Sequence, residues 1–371
     1  MNTPIRVLNL FTIMNYGGAE TMVMNYYRSI DRTKVQFDFM VHREEKGAYD
    51  DEIEALGGRI YRMPPLRPNN IPKYKKMLDE FFSKHREYST IHAHMSERAL
   101  YIFQSAKKNN VPNRICHAHS RPLGFEPKTI AMEYLKKRIL PYTTHMFVCG
   151  EEAGKWLFGE KNRGKFIFLK NAVDAQKYSY NPSIRTEVRN ELGLTKQLII
   201  GHVGSFVFIK NHKFIISIFN EIKKSVDAKL VLVGDDNCHD GAEIHRLVQQ
   251  MSLEEDVVFL GQRNDVYRIL QSFDVFLLPS LYEGLSVASI EAQASGLLTY
   301  ISDRVPDECK ITDLVQTIPL DYSARNWAEI ILQNVPYKRK DTCREIVDAG
   351  FDIVSNASWL QDFYLSIERG N

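Results

Sequence analysis

Two doubly wound α/β domains that face each other across a cleft are the fold class that this sequence predicts. Its 371 residues suffice for about two domains of ordinary size. Short apolar strands alternate with amphipathic helices through the first half, and the same rhythm restarts near residue 198. Between the halves, residues 171–182 lose this periodicity, so we predict domains at residues 1–175 and 176–354.

In the first half, each predicted strand is followed by a helix with one apolar face. The first strand is almost continuously apolar, as expected of a strand buried on both faces of a parallel sheet. In the helix after it, apolar residues recur at helical spacing from Met22 to Ile30, and Gly57 with Gly58 ends the next helix. We predict strands at Arg6–Phe11, Val35–Val41, Arg59–Met63, Thr90–Ala93, Arg114–His117 and His145–Cys149, and helices at Ala19–Ser29, Asp50–Leu56, Tyr74–Ser83, Glu97–Asn109 and Thr129–Ile139.

The second half repeats the pattern with strands of the same buried type. Gly296 is a suitable C-terminal residue for the helix that precedes the last predicted strand. We predict strands at Leu198–Val203, Lys229–Val233, Val257–Leu260, Val275–Leu278 and Leu298–Ser302, and helices at Phe214–Ser225, Ile244–Met251, Val266–Ser272 and Ser286–Ala294. In such sheets ligands bind at the carboxyl ends of the strands, so we expect the site in the cleft between the domains.

Composition excludes several other classes of protein. Hydrophobic residues make up 44% and charged residues 25% of the chain, which is typical of a globular protein rather than a disordered or collagen-like one. No apolar run approaches the roughly 20 residues that span a bilayer. The N-terminal apolar stretch leads into a glycine turn, unlike a secretory signal. The five cysteines are scattered without a CxxC pair, which argues against disulfides or a zinc cluster and indicates a reducing cytoplasm.

The net charge of +2 conceals an asymmetry between the halves. Residues 1–175 carry 28 basic and 19 acidic side chains, whereas the remainder carries 20 and 27. This distribution predicts an anionic partner for the first half. The basic excess is diffuse and no nucleic-acid motif accompanies it, so we do not expect nucleic acid to be that partner.

The most specific signal for a binding site is the segment Glu283, Gly284, Leu285 and Ser286 together with Glu291, all of which follow a predicted strand. Ser286 is a suitable N-cap for the next helix, whose first N–H groups and dipole favour a diphosphate. Glu283 stands at the strand end, where it can accept hydrogen bonds from sugar hydroxyls. Glu291, deeper in the helix, can accept them from a ribose diol. The alternative is a pair of surface glutamates.

Two further loops each follow the first strand of a domain. Gly17 and Gly18 lie between a strand and a helix, where glycine lets the backbone approach a ligand closely, although a plain turn needs the same residues. The motif is not the GxGxxG of dinucleotide-binding proteins, which disfavours a dehydrogenase. In the second domain the loop holds Ser205 and Lys210. Lys210 can reach a phosphate, with an exposed lysine before a helix as the alternative.

Histidines lie at the ends of two predicted strands of the first domain. His117 and His119 form an HxH pair, and His92 and His94 form another. Zinc needs at least three protein ligands and no third ligand is evident at matching spacing, so we expect no metal. We expect the first pair to hydrogen-bond a substrate and the second pair to be structural.

Taken in order, the early Gly-Gly-Ala-Glu, the strand-end histidine, GSFxxxKN and the Glu-x7-Glu of Glu283 and Glu291 resemble the retaining GT-B glycosyltransferases of family four. The similarity is greatest to bacterial enzymes of capsular and exopolysaccharide synthesis, and it covers nearly the whole chain. The resemblance implies that the first domain binds the acceptor and the second the nucleotide sugar. It also implies that a last helix, about residues 355–371, packs back on the first domain.

The resemblance also implies roles for single residues. Glu291 would hold the ribose, Lys210 would neutralise the phosphates, and Arg263 and Val266 would lie near the base. Ser205 stands where the family usually has arginine, so that phosphate contact is weaker or comes from another residue. The catalytic residues implied are His119, Glu283 and Lys210, and the donor-binding residues are Gly17, Gly18, Ser205, Lys210, Arg263, Val266, Glu283, Gly284, Leu285, Ser286 and Glu291.

The implied reaction transfers a sugar, with retention of configuration, from a nucleotide diphosphate sugar to a hydroxyl of a glycan or lipid-linked glycan in bacterial surface polysaccharide synthesis. UDP is the expected nucleotide, and no metal or other cofactor is expected. The alternatives are a GT-B-fold sugar-nucleotide epimerase or phosphorylase, and a non-catalytic nucleotide-sugar-binding partner subunit.

Family acceptors are often lipid-linked sugars at the inner leaflet. The predicted helix with Lys136, Lys137 and Arg138 beside apolar residues fits peripheral binding to anionic lipid, with a solvated helix face as the alternative. We therefore expect a cytoplasmic protein that is peripheral at the inner face of the plasma membrane or free of it.

Overall fold

The computed structural model describes residues 3–120 and 128–369, except for the side chains of residues 128–131. Its contacts divide the chain into two compact units. Unit 1 comprises Met1–Ala172 and Ile353–Asn371, and unit 2 comprises Val173–Asp352. The boundaries expected from the sequence, after residues 175 and 354, lie within three residues of these.

Unit 1 alternates strands and helices along the chain. Its strands are β1 (Ile5–Phe11), β2 (Val35–Val41), β3 (Ile60–Arg62), β4 (Thr90–Ala93), β5 (Asn113–Ala118), β6 (His145–Val148) and β7 (Phe166–Phe168). The helices between them are α1 (Gly18–Ser29), α2 (Asp50–Ala55), α3 (Ile71–Lys84), α4 (Leu100–Lys108), α5 (Lys128–Ile139) and α6 (Glu151–Phe158).

The strands of unit 1 form one parallel sheet in the order β3-β2-β1-β4-β5-β6-β7. The chain builds outward from β1 to β3 and then restarts at β4 on the other side of β1, which makes a switch point between β1 and β4. β2 is buried at every position, as a strand covered on both faces must be. Loops at the carboxyl ends of β1 and β4 leave the sheet in opposite directions, which creates room for a ligand there.

Unit 2 follows the same plan. Its strands are β8 (Leu198–Val203), β9 (Ala228–Val233), β10 (Val257–Phe259), β11 (Val275–Leu278), β12 (Leu298–Ser302) and β13 (Val315–Ile318). Its helices are α7 (Ala175–Tyr178), α8 (Pro182–Glu191), α9 (His212–Lys223), α10 (His239–Gln250), α11 (Val266–Ser272), α12 (Val287–Ala294), α13 (Ala324–Leu332) and α14 (Cys343–Asp348).

The sheet of unit 2 is also parallel, in the order β10-β9-β8-β11-β12-β13, with its switch point between β8 and β11. Backbones approach closely at its carboxyl edge. Gly234, directly after β9, has a positive φ of 158°, and a Cβ there would lie 2.0 Å from the carbonyl oxygen of Gly204 after β8. Glycine is therefore required where these two loops leave the sheet.

The last helix, α15 (Ile353–Arg369), packs on unit 1, as the resemblance implied. Its buried residues Ile353, Leu360 and Tyr364 join the core that contains Phe37. The Tyr364 hydroxyl lies 2.7 Å from Nδ1 of His92, which is itself buried. The helix is thus held by apolar burial and by a buried polar contact to β4.

Residues 171–182 were predicted to be an irregular linker between the domains. They contain α7 and the start of α8, so the prediction of irregular structure is wrong. The Asp174 side chain accepts a hydrogen bond from Lys177 N–H at 2.9 Å and so caps α7. The Asn181 side chain caps α8 in the same way. Residues that suggested a loop are therefore helix caps. Several short elements were also missed: α6, β7, β13, α13 and α14.

We expect Tyr364→Phe to lower the free energy of unfolding by about 1–3 kcal/mol, because His92 Nδ1 would lose its hydrogen-bond partner in a buried site. Tyr322→Phe, at a tyrosine that is 47% exposed, is the matched control and should change it by less than about 0.5 kcal/mol. Urea unfolding followed by fluorescence measures both variants, and equal midpoints would contradict the assignment.

Candidate functional site

The loops that follow β8 and β11 meet at the switch point of unit 2. The N–H of Leu281 donates to the carbonyl of Ile209 at 2.8 Å, and the side-chain amide of Asn211 donates to the carbonyl of Pro279 at 3.0 Å. Asn211 has a left-handed backbone with φ 58°, a conformation that asparagine tolerates better than most residues. The two loops therefore form one hydrogen-bonded surface at the carboxyl edge of the sheet.

Lys210 and Glu283 form an ion pair on this surface. Lys210 Nζ lies 2.6 Å from Glu283 Oε1, and the Ser280 hydroxyl donates to the same oxygen at 2.6 Å. Glu283 is only 7% exposed, so its charge depends on these donors. The carbonyl of Ser280 accepts from the Ser302 hydroxyl at 2.6 Å, which fixes the loop to the end of β12.

Both partners keep hydrogen-bonding capacity. An ammonium group has three N–H donors, and the pair uses one of those of Lys210. Glu283 accepts both of its bonds through Oε1, and in the part of the chain that the structure describes Oε2 has no hydrogen-bond partner. A phosphate and a sugar hydroxyl can therefore bind these two side chains without separating them.

Helix α12 begins directly after this ion pair. Ser286 caps it, as predicted, because its hydroxyl accepts from the N–H of Ser289 at 3.4 Å. The Cys309 thiol holds the same segment: it lies 3.4 Å from the N–H of Ser286 and 3.6 Å from the carbonyl of Gly284, with Leu285 buried between them. The N-terminal end of the helix dipole adds a favourable field for an anion.

Glu291 lies in α12, about 6 Å along the axis from the start of the helix. It is 6% exposed, and the hydroxyl of Tyr178 donates to its Oε1 at 2.6 Å. This bond joins α7 to α12 and fixes the orientation of the carboxylate. The alternative of an exposed surface glutamate is therefore wrong for Glu291, as it is for Glu283.

The remaining predicted residues of unit 2 also follow strands at this edge. Arg263, after β10, makes a bidentate pair with Asp265, with both N–O distances at 2.8 Å. The hydrogen bond raises the pKa of Arg263 and lowers that of Asp265. Val266 is the first residue of α11, and Ser205 is exposed after β8. In the sheet, β10 and β11 are three inter-strand distances apart, or about 14 Å. The predicted site residues of unit 2 are therefore spread along the carboxyl edge of the sheet.

In unit 1, Gly17 and Gly18 precede and begin α1, as expected. A Cβ at Gly17 would lie 2.3 Å from Oε2 of Glu20, so glycine is needed for that carboxylate to fold back over the helix start. At Gly18, apart from its chain neighbours and the backbone of its own helix, no heavy atom of the described residues lies within 4 Å of the corresponding position, which leaves space for a ligand to approach. Burial raises the pKa of Glu20 to about 6.

His119 ends a hydrogen-bond chain at the carboxyl edge of unit 1. Its Nε2 lies 2.9 Å from His94 Nδ1, and His94 Nε2 lies 3.3 Å from Asn9 Oδ1. The Asn9 amide nitrogen donates to backbone carbonyls, so its oxygen is the acceptor and His94 is protonated on Nε2. His94 Nδ1 then accepts from His119 Nε2–H. Burial lowers the pKa of His119 to about 4, so this ring is neutral at pH 7 with Nδ1 unprotonated.

His92 and His117 extend this cluster, so the structure brings together a third histidine that the sequence spacing did not make evident. Ring nitrogens of His92, His94 and His117 lie within 4.8 Å of one another, because β4 pairs with β5. The rings stack face to face, at 4.3 Å and 26° for His92 with His94 and at 5.3 Å and 21° for His92 with His117. A metal lies in the plane of each imidazole that binds it, so these rings would have to turn before they could hold an ion. His117 is fully buried, which leaves His119 as the histidine of its pair that reaches the surface.

Comparison with known proteins agrees with this arrangement. The family model described as "Glycosyl transferases group 1" matches residues 197–331. The "Putative glycosyltransferase EpsF" of Bacillus subtilis is 36% identical over 376 aligned residues, which cover 98% of this chain and 97% of that protein. The chain belongs to the group 1 glycosyltransferases. It is thus a glycosyltransferase of EC class 2.4, as predicted.

Other relatives of this group 1 glycosyltransferase connect it to polysaccharide biosynthesis. The "Capsular polysaccharide biosynthesis glycosyltransferase CapH" of Staphylococcus aureus is 23% identical over 98% of this chain and 99% of its own. An Escherichia coli enzyme named "UDP-Gal:alpha-D-GlcNAc-diphosphoundecaprenol alpha-1,3-galactosyltransferase" is 26% identical over 90% of each chain.

The fold of this group 1 glycosyltransferase is shared with solved structures. HepE of Anabaena, determined in complex with UDP and glucose, superposes with a TM-score of 0.80 at 17% identity over 98% of this chain and all of that one. The predicted fold class of two doubly wound GT-B domains is confirmed. In the described ranges, 3–120 and 128–369, no helix is both long and apolar enough to cross a bilayer.

Sequence reasoning missed the residues that hold the site residues in place: Ser280, Tyr178, Asn9 and Cys309. One signal was available for Asn9, a polar residue inside the otherwise apolar strand VLNLF, since a buried amide needs partners. Nothing in the local sequence indicates the roles of Tyr178 and Cys309. Their partners are distant in the sequence: Tyr178 is 113 residues from Glu291, and Cys309 is 23 residues from Ser286.

We expect Glu20→Gln to raise the free energy of unfolding at pH 8 by about 1 kcal/mol and to leave it unchanged near pH 4. The folded-state pKa of Glu20 is raised from 4.5 to about 6, so the unfolded chain ionises more readily and stability falls as the pH rises through that interval. Partial exposure of the carboxylate reduces the effect below the full shift. Thermal unfolding across pH 4–8, with exposed Glu54→Gln as the control, measures it, and a gain that is independent of pH would show that burial of the charge is not its cause.

Proposed function

We propose that this glycosyltransferase moves a sugar from a UDP-linked donor to a hydroxyl of a glycan or lipid-linked glycan, with retention of the anomeric configuration. The observation that carries the proposal is the surface at the switch point of unit 2. There Lys210, the buried carboxylate of Glu283 and the start of α12 lie side by side. The name of the Escherichia coli relative and the UDP complex of HepE support a UDP donor and a lipid-linked acceptor.

The donor diphosphate would bind Lys210 and the first N–H groups of α12. Lys210 has N–H donors left after pairing with Glu283, and an ammonium group and a helix N-terminus each favour an anion. Glu283 Oε2 would accept a hydroxyl of the donor sugar, and the backbone of Gly284, Leu285 and Ser286 would adjoin the diphosphate. Glu291, held by Tyr178, would accept from the ribose diol.

Further along the edge, Arg263 and Val266 would lie beside the base. The bidentate bond to Asp265 holds the guanidinium in one plane, which suits packing against a flat ring. Ser205 offers a hydroxyl in place of a charge, so Lys210 and the helix start would carry the electrostatic role alone.

The chemical step would break the bond between the anomeric carbon and the diphosphate oxygen and form a bond from that carbon to the acceptor oxygen on the same face. The acceptor proton would pass to the departing phosphate oxygen, which balances the charge without a protein base. Lys210 and the N–H groups of α12 stabilise the negative charge that develops on the leaving group. No metal or other cofactor takes part in this proposal.

In unit 1, the neutral His119 presents Nδ1 as an acceptor because the chain through His94 and Asn9 holds its proton on Nε2. We propose that this nitrogen accepts a hydrogen bond from a donor-sugar hydroxyl. Gly18 would leave the space that the substrate needs at the start of α1.

Peripheral binding to the inner membrane surface is part of the proposal, since a lipid-linked acceptor is held there. Helix α5 offers less charge for this than its sequence suggests: Lys136 pairs with Glu133 and lies 5.1 Å from the ring of Trp156. Lys137 and Arg138 remain, with Arg138 over the exposed ring of Tyr134. Co-sedimentation with liposomes should increase with anionic lipid, and a flat response would reject this part.

The reaction is tested by incubating the protein with UDP-sugars and glycan acceptors and measuring UDP. Release of UDP that requires an acceptor, with a product of retained configuration by NMR, is expected. UDP release without an acceptor, or dependence on inorganic phosphate, would favour the epimerase or phosphorylase. Donor binding without turnover over the whole acceptor panel would favour a non-catalytic binding subunit.

We expect Glu291→Gln to raise the donor KM by about 10- to 100-fold with a smaller change in kcat. Glutamine keeps the acceptor for Tyr178 but replaces one carboxylate oxygen by an NH2 group, which cannot accept from a ribose hydroxyl. Glu329→Gln, at an exposed glutamate of α13, is the matched control. A donor KM equal to that of the unaltered protein would remove Glu291 from the site.

A further inference from the structure

A cavity of about 590 Å3 opens at the carboxyl edge of the sheet of unit 1, within the usual size range of small-molecule sites. Its wall includes Thr12 after β1, Arg43 after β2, Arg67 after β3 and Arg98 after β4. Parallel pairing brings these segments to the same edge although they are far apart in the sequence. None of the arginines was singled out by the sequence analysis.

None of these three arginines has a carboxylate partner among the described residues. In that part of the chain, no acidic side chain lies within 4 Å of the guanidinium of Arg43, Arg67 or Arg98, and the side chains of the last two donate no hydrogen bond to protein. By contrast, Arg6 is paired with Asp38 and Arg62 with Asp50. Three uncompensated guanidinium groups around one cavity are suited to an anion with several oxygens.

Hydrogen bonds between residues of unit 1 hold the floor of the cavity in place. His42 is buried, and its Nδ1 lies 2.8 Å from the carbonyl of Phe11 while Nε2 lies 2.7 Å from the hydroxyl of Tyr74. Since the carbonyl can only accept, Nδ1 carries the proton and Tyr74 donates to Nε2. The loop with Arg43 is fixed by Arg62, which donates to the carbonyl of Glu45 at 2.9 Å. Hydrogen bonds therefore hold the loop that carries Arg43 in place.

The rest of the lining narrows the class of ligand. Glu44 and Glu45 also belong to the wall, and carboxylates suit hydroxyl groups but repel an anion. A ligand with a phosphate at one end and sugar hydroxyls at the other satisfies both sets of side chains. A bare anion or an apolar ligand would satisfy only part of the wall.

We propose that this cavity binds the phosphate or diphosphate group of the acceptor through Arg43, Arg67 and Arg98. The inference rests on the proposed function for the identity of the ligand as acceptor, but the anion site itself does not. A sugar 1-phosphate and a lipid-linked sugar diphosphate present the same phosphate oxygens, so the shared chemistry is a glycosyl phosphate ester.

The test compares binding to the unaltered arginines with binding to the triple variant Arg43→Gln, Arg67→Gln and Arg98→Gln. Both proteins carry Lys210→Met, so that anion binding to unit 2 is reduced equally. Calorimetric titration with inorganic pyrophosphate should give a Kd at least about tenfold weaker in the triple variant. A second triple variant, Lys73→Gln, Lys76→Gln and Lys84→Gln, removes the same charge from α3 and should bind as the parent does.

Two further titrations identify the source of the phosphate. Tighter binding of citronellyl phosphate than of glucose 1-phosphate, two monoesters with the same phosphate group, indicates a lipid-linked ligand, and the reverse order indicates a soluble sugar phosphate. A pyrophosphate Kd that is equal in parent and triple variant, or an equal loss in the α3 control, would overturn the proposal.

With Lys210 restored, the triple variant should raise the acceptor KM and leave the donor KM unchanged. Transfer with an unaltered acceptor KM would refute this inference while the proposed function stands. Arginine-dependent pyrophosphate binding without any transfer would refute the proposed function and leave the anion site.

Discussion

The ion pair between Lys210 and Glu283 joins the two loops that leave the sheet of unit 2 at its switch point. A carboxylate that is 7% exposed must be compensated, and the ammonium group of Lys210 and the hydroxyl of Ser280 both act on one of its oxygens. That constraint fixes Glu283 in the loop between β11 and α12. The start of that helix, its capping serine and the position of Glu291 all follow from where this loop is held.

The carboxyl edges of the two sheets carry different chemistry. In unit 2 the ion pair of Lys210 and Glu283 lies beside the N-terminus of α12. Such an arrangement suits a diphosphate leaving group, whose negative charge increases during the reaction. In unit 1 the buried histidines are neutral because burial lowers their pKa. The arginines around its cavity have no carboxylate partner within the described ranges. The two proposed sites, for donor and acceptor, thus differ in electrostatics although the strand order around them is the same.

Sequence patterns were sufficient for the strands of both sheets except β7 and β13. Continuous apolar strands and helical periodicity have a local cause, so β8, β11 and α11 were predicted within a residue or without error. Long-range contacts have no such cause: the Tyr178 hydroxyl on Glu291 and the histidine pairs of β4 and β5 exist only because of the fold. Asp174 and Asn181 were misinterpreted because the same side chains end a turn or begin a helix.

The central claim is that Lys210 and its ion pair bind the diphosphate of the donor. It is tested most directly by calorimetric titration of UDP and of uridine into the parent protein and into Lys210→Met. The account predicts that the preference for UDP over uridine falls at least about tenfold in the variant, while the uridine affinity stays the same. An unchanged preference for UDP in a folded Lys210→Met protein would contradict it.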